Sequence, residues 1–126
     1  MQPRILLAED NPINREIAIH FLSTLKCHVI PVEDGAQAVD TYKNDTFDLV
    51  FLDVQMPQLS GPEAAQKIRE FDSKSKKHTP IIAITAYTME SEIRSFLASG
   101  MDDHIAKPLS LEKLREALNK WFPPKA

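Results

Sequence analysis

Three carboxylates, one hydroxyl and one ammonium stand at the ends of short apolar runs in this sequence. Glu9-Asp10 follow Ile5-Leu6-Leu7-Ala8, and Asp53 ends the run Asp48-Leu49-Val50-Phe51-Leu52. Thr85 ends Ile81-Ile82-Ala83-Ile84, and Lys107-Pro108 follow His104-Ile105-Ala106. Carboxylates brought together repel: two unit charges ~4 Å apart cost on the order of 4 kcal/mol at an effective dielectric of 20. A proton or a cation must offset that cost. Hard oxygen donors with few others beside them suit Mg²⁺, which keeps several waters and often bridges to a phosphate. Lys107 supplies an ammonium for Asp53 or for an added phosphoryl oxygen, and Thr85 a hydroxyl for another. Such a set performs phosphoryl transfer, where catalysis is mainly positioning and charge neutralisation.

Each residue alone also has an ordinary reading. Glu9-Asp10 is acidic charge where a helix begins; Asp53 is a turn residue, Thr85 a strand threonine, Lys107-Pro108 a plain loop. The functional signal lies in the four positions recurring at successive run ends of one chain.

Those positions need elements to hold them. The runs at 5–8, 27–32, 48–52, 81–85 and 104–106 read as strands. The third and fourth are almost continuously apolar, as in a parallel sheet covered on both faces. Between them lie helical segments. Asn11 caps the first, with Pro12 at its first position, and Ile13, Ile17, Phe21 and Leu25 form an apolar stripe expected to face the core. The second covers 36–42. Pro62 opens the third, with Ala65, Ile68 and Phe71 on one side. The fourth runs from 90 to 98, closed by Ser99-Gly100. Ser110 caps the last, which carries Leu111, Leu114, Leu118 and Trp121/Phe122. Residues 72–79 read as a solvated linker. Strict alternation of strand and helix predicts an α/β, doubly wound parallel sheet, with active groups beyond the carboxyl ends of its strands. The second strand alone offers that edge nothing obvious.

The chain has 126 residues, which fits one domain over 1–126. A net charge of -3 gives no basic face for nucleic acid. The single cysteine, Cys27, excludes an internal disulfide and fits a reducing compartment. No apolar run approaches the ~20 residues of a membrane helix, and no signal peptide is evident. The domain is expected on the cytosolic side, possessing no direct membrane contact of its own.

The segments 6–11 (Leu-Leu-Ala-Glu-Asp-Asn), 48–57 (Asp-Leu-Val-Phe-Leu-Asp-Val-Gln-Met-Pro), Gly61, 80–86 (Pro-Ile-Ile-Ala-Ile-Thr-Ala) and 100–108 (Gly-Met-Asp-Asp-His-Ile-Ala-Lys-Pro) resemble the receiver (response-regulator) family over nearly the whole length. The resemblance implies a flavodoxin-like five-stranded sheet of order 2-1-3-4-5 with five helices, an order for which a chemotaxis member of this family is a standard example. It implies that Asp53 takes a phosphoryl group from a phosphohistidine. Asp10 and Asp53 would bind Mg²⁺ (or Mn²⁺) directly, joined by Glu9 and the backbone carbonyl of Gln55. Lys107 would pair with the phosphate, Thr85 would move toward it, and small Ala86 would leave it room. The Lys107–Pro108 peptide would be cis. His104 occupies the switch position that often carries an aromatic ring, and Gln55 the place that can shape phosphoryl lifetime. The run 9–14 is most similar to receivers of hybrid sensor histidine kinases and phosphorelays. That implies a histidine kinase or a histidine phosphotransfer protein as partner, and either a stand-alone receiver or, the favoured expectation, a domain of a larger kinase.

Two other readings compete. A haloacid-dehalogenase-type phosphatase also uses a strand-end aspartate, but expects a second acid where Gln55 stands. A non-phosphorylated interaction module would not require the full set of site residues, and an FMN-binding flavodoxin would carry a Ser/Thr/Gly-rich loop after the first strand.

Overall fold

The computed structural model describes residues 3–54, 56, 59–75, 78–86 and 90–122. Five strands and five helices alternate: β1 (Arg4–Ala8), α1 (Pro12–Thr24), β2 (His28–Val32), α2 (Gly35–Asn44), β3 (Leu49–Asp53), α3 (Gly61–Ser75), β4 (Ile81–Thr85), α4 (Glu90–Ala98), β5 (Asp103–Ala106) and α5 (Leu111–Trp121). All strand pairs are parallel and the order is β2-β1-β3-β4-β5, as expected.

The period of two in the central strands divides the core. Leu6, Ala8, Val50, Leu52, Ile81 and Ala83 pack against Ala38, Tyr42, Ala64, Ile68 and Phe96 of α2, α3 and α4. Ile5, Leu7, Leu49, Phe51, Ile82 and Ile84 pack against Ala18, Leu22, Leu114 and Leu118 of α1 and α5. Alternate side chains point to opposite faces, so apolar runs without polar interruption serve both layers at once. Cys27 is free and buried, and burial pushes its thiol up to about 11.

Several caps behave as the sequence predicts. Asn11 Oδ1 accepts from the backbone of Ile13 and Asn14 at the start of α1, and Ser110 from Lys113 at the start of α5. Gly100 takes φ +107° after α4, a left-handed conformation that suits glycine.

Two expectations are corrected. The α1 stripe does not face the core throughout: Ile13 is 71% and Ile17 43% exposed, while Ala18 and Leu22 are buried. A spacing of four residues overshoots the 3.6-residue turn by about 40° at each step, so the stripe winds around the helix. Only its end, Phe21 and Leu25, packs on the core.

Residues 72–79 are likewise not simply a solvated linker. The helix α3 continues to Ser75, and Asp72 and Thr79 are buried. Tyr42 Oη donates to Asp72 (2.7 Å) and shares a 2.6 Å hydrogen bond with Thr79 Oγ1. Arg69 binds Asp72, the carbonyls of Thr79 and Gly100, and Asp102. Asp102 in turn accepts from the Ile81 backbone and contacts His78. Burial, with the Asp72 carboxylate adding to it and Thr79 and Arg69 opposing, pushes the Tyr42 hydroxyl up to about 12. Buried polar groups persist where they are paired, and the network ties α2 and α3 to the entries of β4 and β5, away from the strand carboxyl ends.

Removing the guanidinium would take one charge partner from both Asp102 and the buried Asp72. Arg69→Met is therefore expected to lower unfolding stability by about 3 kcal/mol, read from the urea midpoint at unchanged slope.

Candidate functional site

The parallel register aligns the strand ends. Ala8 stands opposite Leu52, Asp53 opposite Ile84, and Thr85 opposite Ala106. Glu9, Asp53 and Lys107 therefore emerge at one edge. The sheet order reverses beside β1, which has β2 on one side and β3 on the other, so the crevice between β1 and β3 is where a doubly wound fold binds ligands.

Asp53 and Glu9 are 2% and 1% exposed, whereas Asp10 lies in solvent. Ligand oxygens of Glu9, Asp10 and Asp53 lie within 4.8 Å of one another. Lys107 Nζ donates to Asp53 Oδ2 at 2.8 Å and approaches Glu9 Oε1 at 3.7 Å. Burial alone would lower the Lys107 pKa, but the hydrogen bond and charge of Asp53, then Glu9 and Asp10, raise it above the usual value. This lysine stays charged.

One ammonium does not balance three carboxylates. Burial, and after it the neighbouring Asp53, pushes Glu9 up to about 8. Glu9 Oε2 accepts from the Asn11 backbone at 3.2 Å, yet Oε1 is buried without a hydrogen-bond partner. An orphaned carboxylate oxygen inside an acidic cluster fits a hard divalent cation.

Backbone contacts hold the loops in place. Glu9 N–H donates to Val32 O (3.2 Å), and Arg15 Nη1 to Glu9 O (3.0 Å). After Asp53, Val54 N–H bonds Ile84 O and Gly61 N–H bonds Val54 O. A Cβ at Gly61 would lie 2.4 Å from the Asp53 carbonyl oxygen, so the start of α3 can approach the Asp53 backbone this closely only with glycine there.

Thr85 is buried at the end of β4, and Lys107 N–H bonds its carbonyl at 2.8 Å. Ala86 is exposed beside it, and the Lys107–Pro108 peptide is cis. His104 is half-buried on β5; its backbone donates to Asp103 Oδ1 (2.8 Å). Asp103 is partly buried, which opposes ionisation, but hydrogen bonds from Trp121 Nε1, the His104 backbone and Lys120 hold its carboxyl below the usual range. Gln55 lies outside the described residues. Thus Glu9, Asp10, Asp53 and Lys107 converge, Thr85 and Ala86 border them, and His104 sits apart on β5.

Sequence reasoning missed Arg15 and a cleft of about 380 Å³ beside the site, lined by Glu9, Asn14, Ile17, Lys107, Pro108 and Leu109. The polar face of an expected core helix gave Arg15 no distinguishing mark.

Glu9 sets a pH test. Folded, it holds its proton up to about pH 8; unfolded, it ionises near the usual 4.5. Between these values the unfolded chain binds fewer protons, so this residue's contribution to stability falls as pH rises. In metal-free buffer the stability of Glu9→Gln relative to wild type should therefore grow across that window, at up to about 1.4 kcal/mol per pH unit, and level off above it.

Comparison with known proteins gives the same picture. The model of the response regulator receiver domain matches residues 5–119. A sensor protein, GacS, of Pseudomonas syringae pv. syringae is 40% identical over 120 residues, covering 94% of this chain and 13% of that protein. The chain thus spans only a small part of this curated relative. The receiver domain of a sensor histidine kinase from Pseudomonas aeruginosa PAO1, with a magnesium ion coordinated in its active-site cleft, superposes with a TM-score of 0.87 at 34% identity, over 96% of this chain and 98% of that one. A Saccharomyces cerevisiae receiver domain, crystallised with a histidine phosphotransfer signaling protein, gives 0.87 at 34% identity, over 95% and 88%. Among the described residues no helix is long and apolar enough to cross a membrane.

Proposed function

The chain belongs to the response regulator receiver family of two-component and phosphorelay systems, and from that premise we propose that Asp53 is its phosphoacceptor. The observation that carries this reading is the Asp53 carboxylate, buried, 2.8 Å from the Lys107 ammonium and clustered with Glu9 and Asp10. An Asp53 oxygen attacks the phosphorus of a phosphohistidine; the new O–P bond forms as the N–P bond breaks, and the imidazole leaves. Lys107 then pairs with a phosphoryl oxygen. The Thr85 hydroxyl donates to another, and Ala86 leaves space for the group.

Glu9, Asp10, Asp53 and, by family resemblance, the Gln55 carbonyl would hold Mg²⁺ or Mn²⁺. That ion, when bound, would neutralise charge on the carboxylates and on the transferring phosphoryl oxygens. The orphaned Glu9 oxygen and the magnesium in the P. aeruginosa relative support this assignment. Movement of Thr85 would be felt by α4 and β5, where His104 is the switch residue, and would present a changed face to a partner.

The partner chemistry follows from the surface beside the site. Exposed Ile17 lines the cleft with Pro108 and Leu109, and exposed Ile13 lies about one turn before it on α1. An apolar patch next to a phosphoryl acceptor suits a helical phosphohistidine domain, of a kinase or a phosphotransfer protein, and the yeast complex supports that pairing. We take residues 1–126 as one receiver domain of a hybrid histidine kinase, on the cytosolic side, because the relatives it partly spans include a sensor protein and hybrid signal transduction histidine kinases.

A small phosphodonor with Mg²⁺ should add the mass of one phosphoryl group, and Asp53→Asn should add none. Lys107→Ala should slow the reaction about 10²-fold, as loss of one charge-stabilising donor does elsewhere. An unmodified wild-type chain would defeat the reading. Ile13→Asp with Ile17→Asp should slow transfer from a phosphorylated histidine domain at least tenfold, while leaving the small-donor rate within about twofold; equal losses with both donors would remove the docking assignment.

A further inference from the structure

Asp10 projects from a loop whose neighbouring backbone groups are all tied down. Glu9 N–H is bound to Val32 O, and the Asn11 backbone donates to Glu9 Oε2. Asn11 caps α1, and its carbonyl accepts from Arg15 N–H at 2.9 Å. The Glu9 carbonyl, part of the peptide that joins Glu9 to Asp10, is instead held by a side chain: Arg15 Nη1 at 3.0 Å. The Arg15 side chain is 18% exposed and lies 3.8 Å from Glu33 Oε1, itself 67% exposed. At that distance, with Glu33 largely in solvent, the pair is weak, which leaves the Glu9 carbonyl as the main partner of this guanidinium.

We infer that Arg15 is a positioning residue for the cation site: through the Glu9 carbonyl it fixes the peptide from which the Glu9 and Asp10 carboxylates reach toward Asp53. The inference rests on the reading of that cluster as a cation site. Two effects of Arg15 oppose each other. Its positive charge repels a cation, so losing it would tighten binding. Its hydrogen bond pre-orients two ligands, so losing it weakens binding, as groups that orient metal ligands generally do by tenfold or more. The first effect is screened by salt and the second is not. The positioning effect is the larger, because it acts on the ligand-bearing peptide itself.

Calorimetric titration of the chain with Mg²⁺, at about 0.02 and 0.5 M salt, separates them. Arg15→Met, which keeps the apolar stem, should weaken Mg²⁺ binding about tenfold at both salt concentrations. Arg15→Lys, whose ammonium can donate to the same carbonyl, should return to within about threefold of wild type. Glu33→Gln should bind as wild type does. Should Arg15→Met not fold by circular dichroism, Arg15→Gln, too short for the carbonyl, takes its place with the same expected loss. Unchanged or tighter binding by the neutral variant, or Arg15→Lys as weak as Arg15→Met, would overturn the assignment. A wild-type chain that binds no Mg²⁺ would instead refute the underlying cation site.

Discussion

The structure turns on a charge imbalance at one sheet edge. Lys107 sits 2.8 Å from Asp53 and 3.7 Å from Glu9, and among the described residues it is one cation beside three carboxylates. At these distances repulsion is expensive wherever water is thin. In the metal-free chain Glu9, one of the two buried members, carries a proton, and burial is the main reason, with the neighbouring Asp53 adding to it. Such a cluster is costly as structure alone. It becomes favourable once further positive charge arrives, and it is then ready for the negative charge of a phosphoryl group.

Every larger feature serves to hold that imbalance in place. The parallel sheet brings four strand ends together, and the reversal of strand order beside β1 opens the crevice between Glu9-Asp10 and Asp53. Two apolar layers fix the sheet, so a strand end cannot slip without moving both. At the far end the Arg69–Asp72–Tyr42–Thr79 network joins α2 and α3 to the entry of β4. Near the site Gly61 allows the start of α3 to approach the Asp53 backbone closely, and Arg15 holds the Glu9 peptide.

Much of this was legible in the sequence because it follows from period and position. Unbroken apolar runs marked the strands, and the polar residues just past them marked the edge. Asn11 and Ser110 announced their helices, since a cap is a local hydrogen bond. What failed was long-range. Ile13 and Ile17 matched a helical spacing, but a strict four-residue step drifts around the helix, and only contact with β-strands on one side decides which members are buried. Asp72 looked like linker because its partners, Tyr42 and Arg69, reach it from α2 and from its own helix. Arg15 was invisible because its acceptor is a backbone carbonyl, which no residue type announces. Gln55 lies outside the described residues, so its part in the site rests on resemblance.

Among the described residues this cluster is short of positive charge, and a bound cation would replace the Glu9 proton. Titration with Mg²⁺ at pH 7 in two buffers of different ionisation enthalpy measures this directly. With Glu9 at about 8, binding should release close to one proton per chain. Binding without proton release, or no binding, would contradict the account.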